Sequence, residues 1–115
     1  MNYLRALCLL LLLSFTACEE EDIQQTCTVA DPAQNIAWLK EKVKDLQASE
    51  YCQVVQRGML NGRSVFVIQN CDPAINAIRA VYDCDGNVIC YSGDDTCPNF
   101  ESEVKRLEVV WSNGK

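Results

Sequence analysis

The chain has 115 residues, with 10 Lys and Arg, 16 Asp and Glu and no histidine, for a net charge of −6. That length allows one domain. The acidic balance excludes the basic surface that nucleic-acid binding needs, and the missing histidine removes the usual general base, Ser-His and Cys-His nucleophile pairs and imidazole metal sites.

Residues 1–17 read as a signal peptide. Arg5 supplies the positive start, and Ala6 to Phe15 supplies an apolar run of ten residues that includes Leu9 to Leu13. A membrane-spanning helix needs about 20 such residues, so this run is too short to span. It leads into Phe15-Thr16-Ala17-Cys18, which resembles the bacterial lipobox, where cleavage precedes the cysteine and lipid is added to it. Cys18 is therefore the expected lipidation site. Several acyl chains, palmitate among them, give stable anchoring where one alone is marginal. Glu19-Glu20-Glu21-Asp22 follows directly. An acidic run there looks like the export signal of Bacteroidota surface lipoproteins, so the expected location is the outer membrane, lipid-anchored and surface-exposed. Residues 18–26 form a polar tether in which Ile23 is the only aliphatic residue after Cys18, too little to order itself by burial.

Residues 27–115 form the expected domain. Without Cys8 in the signal and Cys18 at the junction, six cysteines remain: Cys27, Cys52, Cys71, Cys84, Cys90 and Cys97. An even number in a small exported domain predicts three disulfides, with the connectivity open. The mature part carries nine basic and 16 acidic residues, a charge of −7, which also argues against peripheral binding to anionic lipid.

Asp31-Pro32-Ala33-Gln34 predicts a helix start, with Asp31 as cap, Pro32 at the first position and Gln34 closing a capping box. Ile36, Leu39, Val43 and Leu46 then recur on one helical stripe, and Trp38 falls beside it as a core-edge residue. The helix should end between Ala48 and Glu50. A strand follows over Cys52 to Gly58. Asn61-Gly62 is a hairpin turn, since both residue types tolerate positive φ. Val65-Phe66-Val67-Ile68 predicts a central strand covered on both faces. Centring the turn on Asn61-Gly62 sets Cys52 opposite Cys71 as a hydrogen-bonded pair, the basis for expecting a Cys52–Cys71 disulfide, although a bulge at Gly58 would shift the parity.

Asp72-Pro73 marks a turn, and Ala74 to Ala77 a loop or short bend. Ile78 to Cys84 reads as a third strand, Asp85-Gly86 as a second hairpin turn and Asn87 to Tyr91 as the return. Ser92 to Asp95 is a loop. Pro98 opens a short helix over Asn99 to Val104, Leu107 to Trp111 is the last strand, and Ser112 to Lys115 should fray. The expected fold class is α+β: one main N-terminal helix on an antiparallel sheet of four to five strands, stapled by disulfides.

The chemistry is mostly exclusion. There is no Cys-x-x-Cys, no zinc-like spacing and no phosphate-cradling glycine loop. Asp83-Cys84-Asp85-Gly86-Asn87 resembles the start of a calcium loop, but its glycine is misplaced and no Glu closes it; a hairpin turn explains the same residues. No metal or cofactor is expected. Carboxylate pairs such as Asp94-Asp95 and Glu101/Glu103 are candidates for acid and base, but solvated charge accounts for them. The loop from Ser92 to Asn99, between Cys90 and Cys97, is the candidate partner-binding surface, through Ser92, Gly93, Asp94, Asp95 and Asn99. Small disulfide-held domains present rigid loops in this way.

Val81-Tyr82-Asp83-Cys84-Asp85-Gly86-Asn87-Val88-Ile89-Cys90, Cys97-Pro98-Asn99-Phe100 and the earlier Trp38-Leu39 together look like an uncharacterised domain family of small Bacteroidota lipoproteins. The resemblance spans Asp31 to Trp111 and implies fold and location, with no activity or site to carry over. The helix-then-sheet order is also loosely similar to cystatin-like inhibitors, without their inhibitory motif. The expected function is a non-enzymatic binding or structural role toward an envelope or extracellular protein, with membrane attachment through lipid and no nucleic acid. Inhibition of secreted proteases through the 92–99 loop is the second reading, and a carboxylate-based hydrolase the weakest.

Overall fold

A hairpin forms the middle of the domain. In the computed structural model, which describes residues 27–72 and 78–115, β1 (Gln53–Leu60) and β2 (Arg63–Asn70) pair antiparallel without interruption from Gln53↔Asn70 to Leu60↔Arg63. Asn61 and Gly62 both take positive φ, 52° and 78°, the twist a two-residue hairpin turn demands. β3 (Arg79–Tyr82) pairs with β2, β4 (Val88–Ser92) with β3, and β5 (Lys105–Ser112) returns antiparallel to the other side of β1. The sheet order is β4-β3-β2-β1-β5, and the fold is mixed α+β. The expected signal peptide, Cys18, the expected tether and residues 73–77 lie outside the described residues.

β2 is central and covered on both sides, because its consecutive apolar residues alternate between two cores. On one side, here the helix face, Phe66 packs with Val55 of β1, Cys27, Ala33, Leu39 and Val43. On the other, the loop face, Val65 and Val67 pack with Leu60, Val81, Cys90 and Phe100.

The helix face is covered by α1 (Pro32–Asn35) and α2 (Ala37–Ala48). One helix from Asp31 was expected, but the chain breaks at Ile36, whose φ of −104° and ψ of 116° are extended. Asp31 sits at φ 50° and its side chain caps nothing, so the capping box is not formed. The Asn35 side-chain amide instead reaches back and donates to the carbonyls of Ala30 and Asp31, which ties the preceding segment to the helix. The apolar stripe nevertheless meets the sheet. Leu39 and Val43 are buried, and Ile36 and Leu46 pack beside them. Trp38 is a core-edge residue: its ring meets Phe66 edge-on at 5.7 Å and Tyr82 at 5.4 Å, and its indole N–H donates to the Cys84 carbonyl at 2.8 Å. Gly86, at φ 87°, lies under that ring, and a Cβ there would come within 2.7 Å of the indole.

The loop face is covered by the segment after β4 and by α3 (Phe100–Glu103), which buries Phe100. Three disulfides are present: Cys27–Cys84 and Cys90–Cys97 tie down the covers, and Cys52–Cys71 closes the open end of the β1–β2 hairpin. Cys52 and Cys71 fall where the hairpin register puts them, and the Cys71 N–H donates to the Cys52 carbonyl at 3.1 Å. The irregularity at Gly58 does occur, but on the β5 side of β1, leaving the β1–β2 parity intact. There Arg106 takes the left-handed conformation at φ 57°. Gly58 opposite has no room for a side chain: an added Cβ would lie 2.9 Å from Val104 Cγ2.

The expected fray at the C-terminus is replaced by a clasp. Asn113 is buried, accepts from the Gln53 N–H and donates to the carbonyls of Leu46 and Tyr51. The Lys115 ammonium donates to the carbonyls of Gln47 and Ser49. These are carbonyls at and beyond the end of α2, where unsatisfied acceptors and the helix dipole favour a cation.

Candidate functional site

The residues singled out for partner binding lie where β4 leaves the sheet. Gly93, at φ 102°, turns the chain back on itself, and the Cys90–Cys97 disulfide closes the loop with 5.6 Å between Cα atoms. Inside it, the Asp94 carboxylate accepts from the Thr96 N–H at 2.8 Å and the Thr96 hydroxyl at 2.5 Å, while the Tyr91 N–H donates to Thr96 Oγ1 at 2.8 Å. An aspartate two residues before a threonine forms such a turn readily. The Thr96 side chain and backbone N–H, followed by burial and the Cys97 N–H, set the Asp94 pKa; the net effect holds it below the usual carboxylate value. The loop is thus fixed by short-range bonds of its own.

Not all the candidate residues face outward. Gly93, Asp95 and Asn99 are exposed and Asp94 is half-buried, but Ser92 is only 2 % exposed. Its hydroxyl accepts from the Arg79 guanidinium at 2.8 Å, so Ser92 belongs to the brace under the loop. Arg79 also donates to Gln69 Oε1 at 2.7 Å, pairs with Glu101 and lies 5.9 Å from the Phe100 ring centre. The sequence reading missed this arginine, because its partners come from three separate stretches of chain. It also missed Tyr91, which stands 42 % exposed on the edge strand next to the loop and offers an aromatic surface. The alternation of β4 around the buried Cys90 was the signal that could have found it.

The carboxylate pairs offered for catalysis are not gathered into a site. Asp94 is committed to Thr96, and its lowered pKa runs opposite to what a general acid needs. Glu101 pairs with Arg79 at the surface, and Glu103 and Asp95 are exposed. The calcium-like stretch is a turn. Asp83 is buried and its Oδ1 accepts the backbone N–H groups of Asp85 and Asn87, both at 2.9 Å. That carboxylate organises the hairpin end, which accounts for the acid-rich spacing. Among the described residues no group of three or more His, Cys, Asp or Glu is placed to hold a metal, and no helix is long and apolar enough to cross a membrane.

One family, described as a domain of unknown function (DUF6970), matches residues 41–113. That span begins inside α2 and takes in all five strands and the candidate loop, while Cys27 falls before it. Neither the curated proteins nor the solved structures gave a match.

Proposed function

The chain belongs to the DUF6970 family, and from that premise we propose that it is a lipid-anchored envelope protein with a non-enzymatic binding or structural role. The observation that carries the binding role is the braced loop. A disulfide, the Asp94–Thr96 bonds and Arg79 beneath them hold Gly93, Asp95 and Asn99 out in one arrangement. A loop ordered in advance loses less entropy on binding, which favours recognition of another protein. The anchoring half of the proposal rests on sequence: the Phe15-Thr16-Ala17-Cys18 junction, the acidic run after it and an even cysteine count without Cys18. Together they support a small Bacteroidota-type lipoprotein on the outer membrane. In that reading α2 is the domain's main N-terminal cover and residues 18–26 are its tether.

Protease inhibition through the same loop is less favoured. A segment entering a protease cleft is extended, whereas residues 93–96 turn tightly and use their own polar groups internally.

The test is cross-linking and pull-down from intact outer membranes, comparing the wild-type chain with an Asp95→Ala/Asn99→Ala variant. A partner held by the first and lost by the second is expected. A partner retained by both would remove the loop from the proposal. In parallel, Cys18→Ala should move the protein from the membrane fraction to the soluble one; continued sedimentation with membranes would end the lipoprotein reading.

A further inference from the structure

A second surface stands on the helix face, on a different sheet face from the loop and independent of it. Ala33, Val43 and Trp111 form the apolar lining of a groove of about 440 Å³ between α1, α2 and β5, and Gln34, Lys40, Lys44 and Gln47 complete it. That volume suits a small ligand. The floor is firm: Ala33 and Val43 are buried, and Trp111 packs against the same core. The four polar residues are exposed. Lys40 and Lys44 lie one helical turn apart, on the same side of α2. Lys40 forms no ion pair among the described residues, while Lys44 shares a surface pair with Glu41 at 2.9 Å. Outside the lining, the Lys115 ammonium donates to the carbonyls of Gln47 and Ser49. Residues 27–115 carry nine basic and 12 acidic residues, a charge of −3, and Lys40 and Lys44 at the groove stand against that balance.

We propose that this groove binds an acidic sugar. The carboxylate meets Lys40 and Lys44, the apolar face of the ring lies against Trp111 and Val43, and the Gln34 and Gln47 amides bond its hydroxyls. A bare phosphate would use the cations and leave the aromatic floor unfilled. An acidic peptide side chain would meet the cations but carries no ring face to cover Trp111. An aromatic floor with amides and cations at its edge matches a ring that is apolar on one face and anionic at one substituent.

Calorimetry on the full chain tests this, with tetramers of galacturonate and of glucuronate, the methyl-esterified galacturonate tetramer and polyglutamate as probes. At least one uronate tetramer should bind and weaken with added salt, and the ester should bind at least about tenfold less well, since a charge-assisted bond is lost. Lys40→Gln/Lys44→Gln should weaken binding by about tenfold or more for the same reason. Glu41→Gln, which releases Lys44, should strengthen it, a direction that loss of structure would not give. Absence of uronate binding at millimolar concentration, equal binding of ester and acid, indifference to the lysine substitutions, or tighter binding of polyglutamate would each overturn the proposal.

Discussion

The two faces of the sheet carry covers of different origin. The helix face is closed by residues 27–48, a stretch that ends before the sheet begins, and it is tied across the domain by Cys27–Cys84, 57 residues apart. Its fastening continues along the chain: the Cys27 N–H donates to Ser64 Oγ at 2.9 Å, and the Arg57 guanidinium donates to the Val29 carbonyl at 2.9 Å. The loop face is closed by the short segment between β4 and β5, with a disulfide spanning only 7 residues and one buried aromatic, Phe100. The helix face therefore depends on long-range closure. The loop face depends on local turn chemistry and a single large side chain.

Disulfide removal should break that comparison most sharply. A cross-link stabilises by restricting the unfolded chain, more so for longer loops, so Cys27→Ala/Cys84→Ala should cost about 4 kcal/mol and Cys90→Ala/Cys97→Ala about 2 kcal/mol. Denaturant unfolding of the two variants measures both. Equal losses would mean that the loop-face bridge holds more of the fold than its local span suggests. Next, Phe100→Ala should cost about 3 kcal/mol, because a large buried ring leaves a cavity that the short cover cannot refill. The thermal midpoint reads this, and a small shift would show that α3 is not what closes the loop face. Asn113→Ala should cost about 2 kcal/mol in the same assay, through lost bonds at the seam where β1, β5 and the end of α2 meet.

Gln56 offers the opposite sign. In register it stands beside Val67 and Val109, and its Oε1 is buried without a hydrogen-bond partner. Gln56→Leu should raise stability by about 1 kcal/mol, since an unmet buried acceptor is replaced by an apolar group of similar size. A loss instead would reveal a partner for that oxygen and a more polar loop face than the geometry indicates.

Local rules read the central hairpin well. Asn61-Gly62 set the turn, the turn set the register, and the register put Cys52 opposite Cys71. The run Val65 to Ile68 correctly implied a strand covered on both sides, and the six-cysteine count implied three bridges. Tertiary demands decided the rest. Asp31-Pro32-Ala33-Gln34 has the residues of a capped helix, yet the chain must bend at Ile36 to bring both Ala33 and Leu39 onto the sheet. The last residues have no periodicity, so nothing local showed that Asn113 would find carbonyls 62 and 67 residues earlier. Likewise Ser92 looked like an ordinary loop hydroxyl until Arg79 closed over it.

The smallest expected effect tests whether the candidate loop is an independent unit. The Asp94 carboxyl is held low mainly by the Thr96 bonds. A lowered folded pKa means those bonds contribute above the ordinary carboxylate range and are lost as pH falls through the depressed value. Acidification should therefore loosen residues 91–97 while leaving the sheet intact, seen as faster hydrogen exchange at the Thr96 amide with unchanged protection at Phe66. Thr96→Val should reproduce that loosening at neutral pH and flatten its pH dependence, with no change in the global unfolding midpoint. If the midpoint falls with it, the loop is part of the loop-face cover and not a separately ordered display. Its exposed residues would then be held by the same forces that close the core around Phe100.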